Sequence, residues 1–218
     1  MLLNFIFLPH PPFSPVFSSL IYVTFAVRKW YMHEIEPFYN WRHLYTAESD
    51  PRSPFFGRHY SEFEYSQTIY NYYIHPQWDE FGSRTLYMKI LYADYEQQFV
   101  IIELIGEWND AIENDIMTFK RDIIDELFAA GITKYILITE NVLNFHSGDK
   151  DYYIEWFEEV TDEGGWIVAI NMPGATQHDF VRKKLNYYIE LMSIPNWRVF
   201  KPEHLFAKIN DEISRRLD

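Results

Sequence analysis

The sequence predicts an α/β protein: a mixed sheet of four to five strands, ordered β-β-α-β-α-β-α-β-α from Thr85 onward, with helices packed on it and an aromatic-rich N-terminal extension before it. Three observations carry that expectation. Short runs rich in isoleucine, valine and leucine recur at 99–105, 135–138 and 166–171, as strands buried on both faces require. Between them lie segments with apolar residues three and four apart, the spacing of a helix with one buried side. The connections are long enough to return each strand parallel to the one before.

In chain order, residues 68–74 (TIYNYYI) read as a strand from their β-branched and aromatic content. Residues 85–92 and 99–105, separated by ADYEQQ, read as an antiparallel pair, and Gly106 interrupts the second of them. Asn109 or Asp110 can cap a helix whose stripe is Ile112, Ile116, Phe119, Ile123 and Leu127, and Gly131 stops it. Residues 135–138 follow as a buried strand, and the polar run 139–149 leaves it as a loop. Tyr153, Trp156, Phe157 and Val160 share the face of the next helix, after which 166–171 is buried strand again. Thr176 with Asp179 resembles a capping box opening a helix through Val181, Leu185, Tyr188 and Met192. Residues 197–200 read as a final short strand, and Pro202 opens a last helix with Leu205, Ile209 and Ile213 inward.

Residues 1–31 differ in kind from the rest. They hold no acidic residue and four prolines, and the apolar run at 16–27 is too short to span a bilayer as a helix. A secretory signal carries its cations before the apolar stretch, whereas Arg28 and Lys29 follow it. The expected organisation is a non-native or loosely ordered leader over 1–31, an aromatic-rich extension over 32–83 with at least one strand, and an α/β domain over 84–218.

Charge and composition narrow the function. With 32 acidic against 19 basic residues the net charge is −13, which repels phosphate backbones and anionic membranes, so neither nucleic acid nor membrane is an expected partner. The absence of cysteine removes disulfides, thiolate catalysis and thiolate metal ligands, and suits a cytoplasmic protein. No glycine-rich phosphate loop, GxSxG or HExxH stretch occurs, and the chain has only 8 glycines with which to bring backbone against phosphate. No cofactor is expected. His59-x-x-Glu62 and the group His33, Glu34 and Glu36 lack a second histidine at helical spacing, so they read as solvated surface and no metal is expected. His75 and His204 read as turn and surface residues.

The run 139–149 is the candidate site, because open α/β sheets gather functional residues beyond the carboxyl ends of their strands. Thr139, Asn144, His146, Ser147 and Asp149 are the residues singled out there, as an interaction loop with a hydroxyl placed for phosphorylation near a helix start. A structural role competes with it, Ser147 or Asp149 simply capping the helix. The next loop brings Asn171 and His178 to the same edge.

The phrase IIELIGEWNDAIENDI, running from a strand through Gly106 and Glu107 into a helix, and the phrase ENVLNFHSG after the following strand resemble the STAS domain. This is the sulphate-transporter and anti-sigma-factor-antagonist family, with its SpoIIAA-like branch. The resemblance spans about residues 85–217. It implies a four- or five-stranded sheet backed by helices, and a protein that acts by docking onto a partner. In that family a helix-start loop carries an Asp-Ser-Ser-Gly-like motif whose first serine a partner kinase phosphorylates. Counted back from Gly148, Ser147 takes the second serine position, His146 the phosphorylated one and Phe145 the aspartate, so the motif itself is not kept.

The leading expectation is therefore a non-enzymatic regulatory domain with a protein partner. An alternative is a small-molecule binder or enzyme using the cleft between 139–149 and 171–178, with His146 as acid or base and Asn144, Asn171 and His178 orienting the substrate. That alternative requires His146 and His178 to converge on one pocket. A third reading makes the tyrosines and phenylalanines of 38–95 a homodimer surface.

Overall fold

The apolar runs that begin at Phe99 and Lys134 lie side by side as parallel strands, and the sheet grows outward from them. A computed structural model describes residues 33–217 except 62, 66 and 71. These residues belong to one compact unit, 33–218, in which 33–83 and the sheet share their cores. The expectation for residues 1–31 falls outside the described residues.

The main sheet contains β4 (Leu86–Asp94), β5 (Phe99–Asn109), β6 (Lys134–His146), β7 (Trp166–Ile170) and β8 (Glu190–Met192), in that spatial order. β4 and β5 form the expected antiparallel hairpin, and every later pair is parallel. A separate three-stranded sheet, order β1-β3-β2, comprises β1 (His33–Ile35), β2 (Thr68–Ile69) and β3 (Tyr72–Ile74). The single strand expected over 68–74 is thus a hairpin, because Tyr70 takes a left-handed φ of 53° and turns the chain back on itself. Ile35, Ile69 and Ile74 of the small sheet pack on Tyr87 and Ile105 of the large one.

Helices cover both faces. On one lie α1 (residues 115–129), α2 (Asp151–Asp162) and α3 (Gly174–Arg182), packing Phe119, Trp156 and Phe180 on Trp108, Tyr135 and Phe145. On the other, α4 (Pro202–Leu217) lays Leu205, Phe206 and Ile209 on Phe99, Ile101 and Val168, with the Phe99 and Phe206 rings stacked 4.1 Å apart. Residues 37–41 strap that same face: Phe38 meets Trp41 and Trp197 edge-on, and the Trp41 indole N–H donates to the Phe200 carbonyl at 3.1 Å.

Several expectations are corrected. β6 does not end at residue 138 in a loop but runs to His146, because β5 also continues past Gly106 and offers it hydrogen-bonding partners as far as Asn109. Gly106 is a bulge within the strand rather than its end; at φ +119° a Cβ there would stand 2.1 Å from the Thr85 carbonyl oxygen. α1 begins at Asp115, since strand and turn consume residues 109–114, and Ile112, expected in the buried stripe, is 79% exposed. Its middle turn, Lys120–Ile124, is a π turn that buries Ile123 and Ile124 together and carries Lys120 inside, where Asp125, Glu155 and Glu159 hold its ammonium.

The remaining corrections lie within residues 174–200. α3 stops at Arg182, Lys184 turns left-handed, and the last strand is Glu190–Met192. Residues 182–192 contain no glycine or proline, so nothing punctuates that break. Residues 197–200, expected as the last strand, hold the 3-10 turn Trp197–Val199, whose indole donates to Glu140 while the ring plugs the α4 face. The capping box is likewise not formed: Thr176 donates instead to the Val142 carbonyl at 2.9 Å and ties α3 to β6.

Glu103 stands on β5 among the apolar residues of the α4 face and accepts the Phe38 N–H of the strap at 2.8 Å. Burial pushes its carboxyl up to about 7 from 4.5, against the pull of that hydrogen bond and of Arg198. A carboxyl whose pKa rises on folding takes up a proton as the chain folds. Its full contribution is therefore present below about pH 4.5 and lost as the pH climbs through about 7, a difference on the order of 3 kcal/mol. Glu103→Gln keeps the acceptor and removes the charge. Urea unfolding is expected to show the variant more stable than the parent at pH 8 and close to it at pH 5; equal gains at both would remove the titration from the account.

Candidate functional site

Beyond Gly106, β5 and β6 continue as a two-stranded parallel ribbon past their neighbours. β7 ends at Ile170 opposite Ile138, and β4 begins at Leu86 opposite Gly106. The ribbon pairs Glu107 with Asn144, Trp108 with Phe145 and Asn109 with His146. Because side chains alternate along a strand, Trp108 and Phe145 point toward the helices and are buried. Glu107, Asn109, Asn144 and His146 fall on the other side, beneath the small sheet's hairpin.

There they form a polar cluster. The His146 Nε2 lies 2.9 Å from a Glu107 carboxylate oxygen and 3.0 Å from the Asn144 amide nitrogen. The Tyr70 hydroxyl donates to the other Glu107 oxygen at 2.8 Å, and that bond is the chief reason its phenol is held above the usual tyrosine range. The imidazole is 46% exposed while Glu107 is largely covered. Glu107 therefore acts as a bridge that fixes both Tyr70 and His146 at the surface.

The ribbon is anchored from inside by Asp110. One carboxylate oxygen accepts the Trp108 indole N–H at 2.8 Å and the Ile116 backbone N–H at 2.9 Å; the other accepts the Tyr153 hydroxyl at 2.6 Å. The expected cap thus reaches α1 from outside the helix, joining β5, α1 and α2 at one side chain. Burial raises this carboxyl to about 6 despite its three donors. The Asp110 and Ala111 N–H groups both donate to the His146 carbonyl, at 2.8 and 3.2 Å, and a Cβ on Gly148 would stand 2.6 Å from the Asp110 carbonyl oxygen. No side chain from Ser147 or Asp149 caps α2; its first flanking residue is Lys150.

The singled-out residues divide accordingly. Asn144 and His146 are brought together, with Ser147 half-buried and Asp149 exposed just beyond. Thr139 is fully buried in β6 and donates to the Ile170 carbonyl at 2.9 Å, so it is no loop hydroxyl. Asn171, left-handed at φ 58°, clamps the backbone of Ile194 with both ends of its amide, at 2.7 and 2.8 Å. His178 is 76% exposed and faces Asp179 of its own helix at 3.6 Å. His146 and His178 share no partner. The larger cavities, of about 510, 450, 240 and 230 Å³, lie beside α4, along α2, beside Trp166 and beside His59, and none is lined by either histidine. Among the described residues no three His, Asp or Glu side chains gather as a metal site, and no helix is long and apolar enough to cross a membrane.

Glu107 and Tyr70 were not singled out from the sequence, and Asp110 was expected only as a helix cap. Glu107 had a usable signal, since in a strand carried past Gly106 it alternates with buried Trp108. Tyr70 had none, its approach being set by the separate small sheet.

No family model and no curated protein matches the chain. Among solved structures the fold is similar to that of the anti-sigma factor antagonist SpoIIAA in its unphosphorylated form, at 14% identity and a TM-score of 0.44 over 57% of this chain and 96% of that one. The phosphorylated form of the Bacillus cell fate determinant SpoIIAA aligns at 15% identity and 0.40, over 56% of this chain and 98% of that one. A Thermotoga maritima protein proposed as an anti-sigma factor antagonist aligns at 18% identity and 0.36, over 44% and 80%. The likeness is one of fold.

Asp110→Ala strips three buried donors of their acceptor and is expected to cost about 2–4 kcal/mol in chemical unfolding, and Tyr153→Phe about 1 kcal/mol. An Asp110→Ala loss no larger than that of Tyr153→Phe would show that the carboxylate is not the anchor.

Proposed function

We propose that this chain is a non-enzymatic regulatory interaction domain that docks a protein partner on the projecting end of the β5–β6 ribbon. The observation that carries the reading is the projection itself. Two central strands leave the sheet together and are braced from within by Trp108, Phe145 and Asp110.

The chemistry of the surface supports the same reading. Ile112 in the turn after β5, Leu143 on β6 and Tyr70 of the small sheet are exposed apolar groups. Glu107, Asn144 and His146 supply hydrogen-bonding groups beside them. Apolar anchors bordered by polar groups are what protein interfaces use, whereas a reaction site needs a concave, partly dry pocket. Docking onto a regulatory protein is also what the STAS resemblance implies. Ser147, next to His146, is the hydroxyl of this surface that a partner kinase would reach; Thr139 is closed to one.

Ile112→Asp and Leu143→Asp test the assignment, because both side chains are exposed and the fold is expected to keep its stability. A photo-crosslinking residue at 112 or 143 in cells should capture a defined protein, with capture lost in the paired Asp variant. The same residue at Val199, exposed far along the chain, should capture none. Equal capture at all three positions would defeat the proposal.

A further inference from the structure

Tyr87 on β4 carries a hydroxyl that the packing around it does not explain. Its ring is held against Ile69, Ile74 and Trp78, where the small sheet lies on the large one, and the residue is only 3% exposed. A buried hydroxyl ordinarily finds a partner, yet among the described residues none forms a hydrogen bond with this phenol. The residue forms part of the lining of a cavity of about 230 Å³, together with Tyr60, Ile74 and Pro76. Glu64 and Glu80 add two carboxylates to that lining, and His59 and His75 two imidazoles. Burial, and then the charge of Glu80, push the Tyr87 phenol up to about 12, which puts that carboxylate near the hydroxyl.

The charge of the cavity is one-sided. It has no lysine or arginine in its lining. The cations of the neighbouring segments are committed to Asp79, with Arg58 and Lys89 each 3.3 Å from one of its oxygens. Arg58 also donates to the Glu80 backbone carbonyl at 2.9 Å, and not to its carboxylate. Glu64 and Glu80 are exposed and, among the described residues, unpaired. Two free carboxylates beside an open phenol oxygen repel an anion and receive an N–H donor. Among the described residues no three His, Asp or Glu side chains gather to hold a metal ion, and a cavity of this size admits a short molecule rather than a folded surface.

We propose that this cavity binds a small organic cation, a primary ammonium on a short aliphatic body. The ammonium lies between the Glu80 carboxylate and the Tyr87 hydroxyl, which accepts one of its N–H groups, and the aliphatic part rests on Ile74 and Pro76. Glu64 supplies the second negative charge. The site shares no residue with the ribbon surface and does not depend on the docking role given to it.

Calorimetric titration of the full chain with butane-1,4-diamine is expected to show saturable binding at one site, weakened by added salt, whereas butane-1,4-diol, of the same length and uncharged, does not bind. Nα-acetyl-lysine amide offers the same group as a protein side chain does, and the tighter of the two amines names the source. Tyr87→Phe keeps the ring and should raise the dissociation constant about tenfold, and Glu80→Gln about threefold, each with an unchanged thermal melt. Glu158→Gln, on the exposed side of α2, should leave it as it was. In the unaltered protein, resonance shifts caused by the diamine should fall on Tyr60, Glu64, Glu80 and Tyr87, a readout that needs no variant to fold. No saturable binding at millimolar amine, an unaltered constant in Tyr87→Phe or Glu80→Gln, or an equal loss in Glu158→Gln would overturn the proposal, the last by showing only a diffuse attraction to an acidic surface.

Discussion

The parallel pairing of β5 with β6, from Phe99 opposite Lys134 to Asn109 opposite His146, is the constraint on which the other elements depend. It sets where α1 starts, since the helix waits until the strand has ended and Asp110 has turned the chain. It sets where α2 starts, since the His146 carbonyl must first receive the Asp110 and Ala111 N–H groups. It also determines what reaches the surface, because alternation past Gly106 sends two aromatic rings inward and the Glu107–His146 pair outward. A residue larger than glycine at 106 would collide with the Thr85 carbonyl and push β5 away from the start of β4.

Several charges are taken out of water to hold this arrangement, and each is compensated differently. Lys120 is surrounded by three carboxylates. Asp79 is met by Lys89, Arg58 and the Tyr60 hydroxyl. Asp110 has three donors, whereas Glu103 has one backbone N–H and a distant guanidinium, and its carboxyl is the one pushed furthest toward neutrality among those with a stated value. Burial unmatched by partners is what makes a group sensitive to pH, and the least compensated carboxylate lies under the strap.

Much of this fold was legible because its strands are continuous apolar runs and its helices have clean stripes. The hairpin of 85–92 with 99–105 and the final helix follow from periodicity, and the parallel order from the length of the connections. What misled was local chemistry with a tertiary partner. Polar residues 139–146 look like a loop until the extension of β5 pairs with them, and Leu185, Tyr188 and Met192 keep helical spacing across a break with no punctuation. At the candidate site Asn144 and His146 were singled out as loop residues following a strand, whereas they lie within β6 itself. Their relation to Tyr70 was not legible, since it depends on how a separate small sheet lies over the ribbon.

The strap of residues 37–41 bears on where the chain can be cut. Phe38 and Trp41 come from the segment before the α/β repeat, yet they roof the face on which Phe99, Ile101 and Trp197 lie, and the Trp41 indole is bonded to Phe200 near the other end of the chain. A fragment trimmed to the repeating strands and helices alone would open a greasy trench along its own sheet and leave Glu103 staring into it. The minimal autonomous folding module is thus longer than its most recognisable pattern, and excising that pattern is a recipe for precipitation.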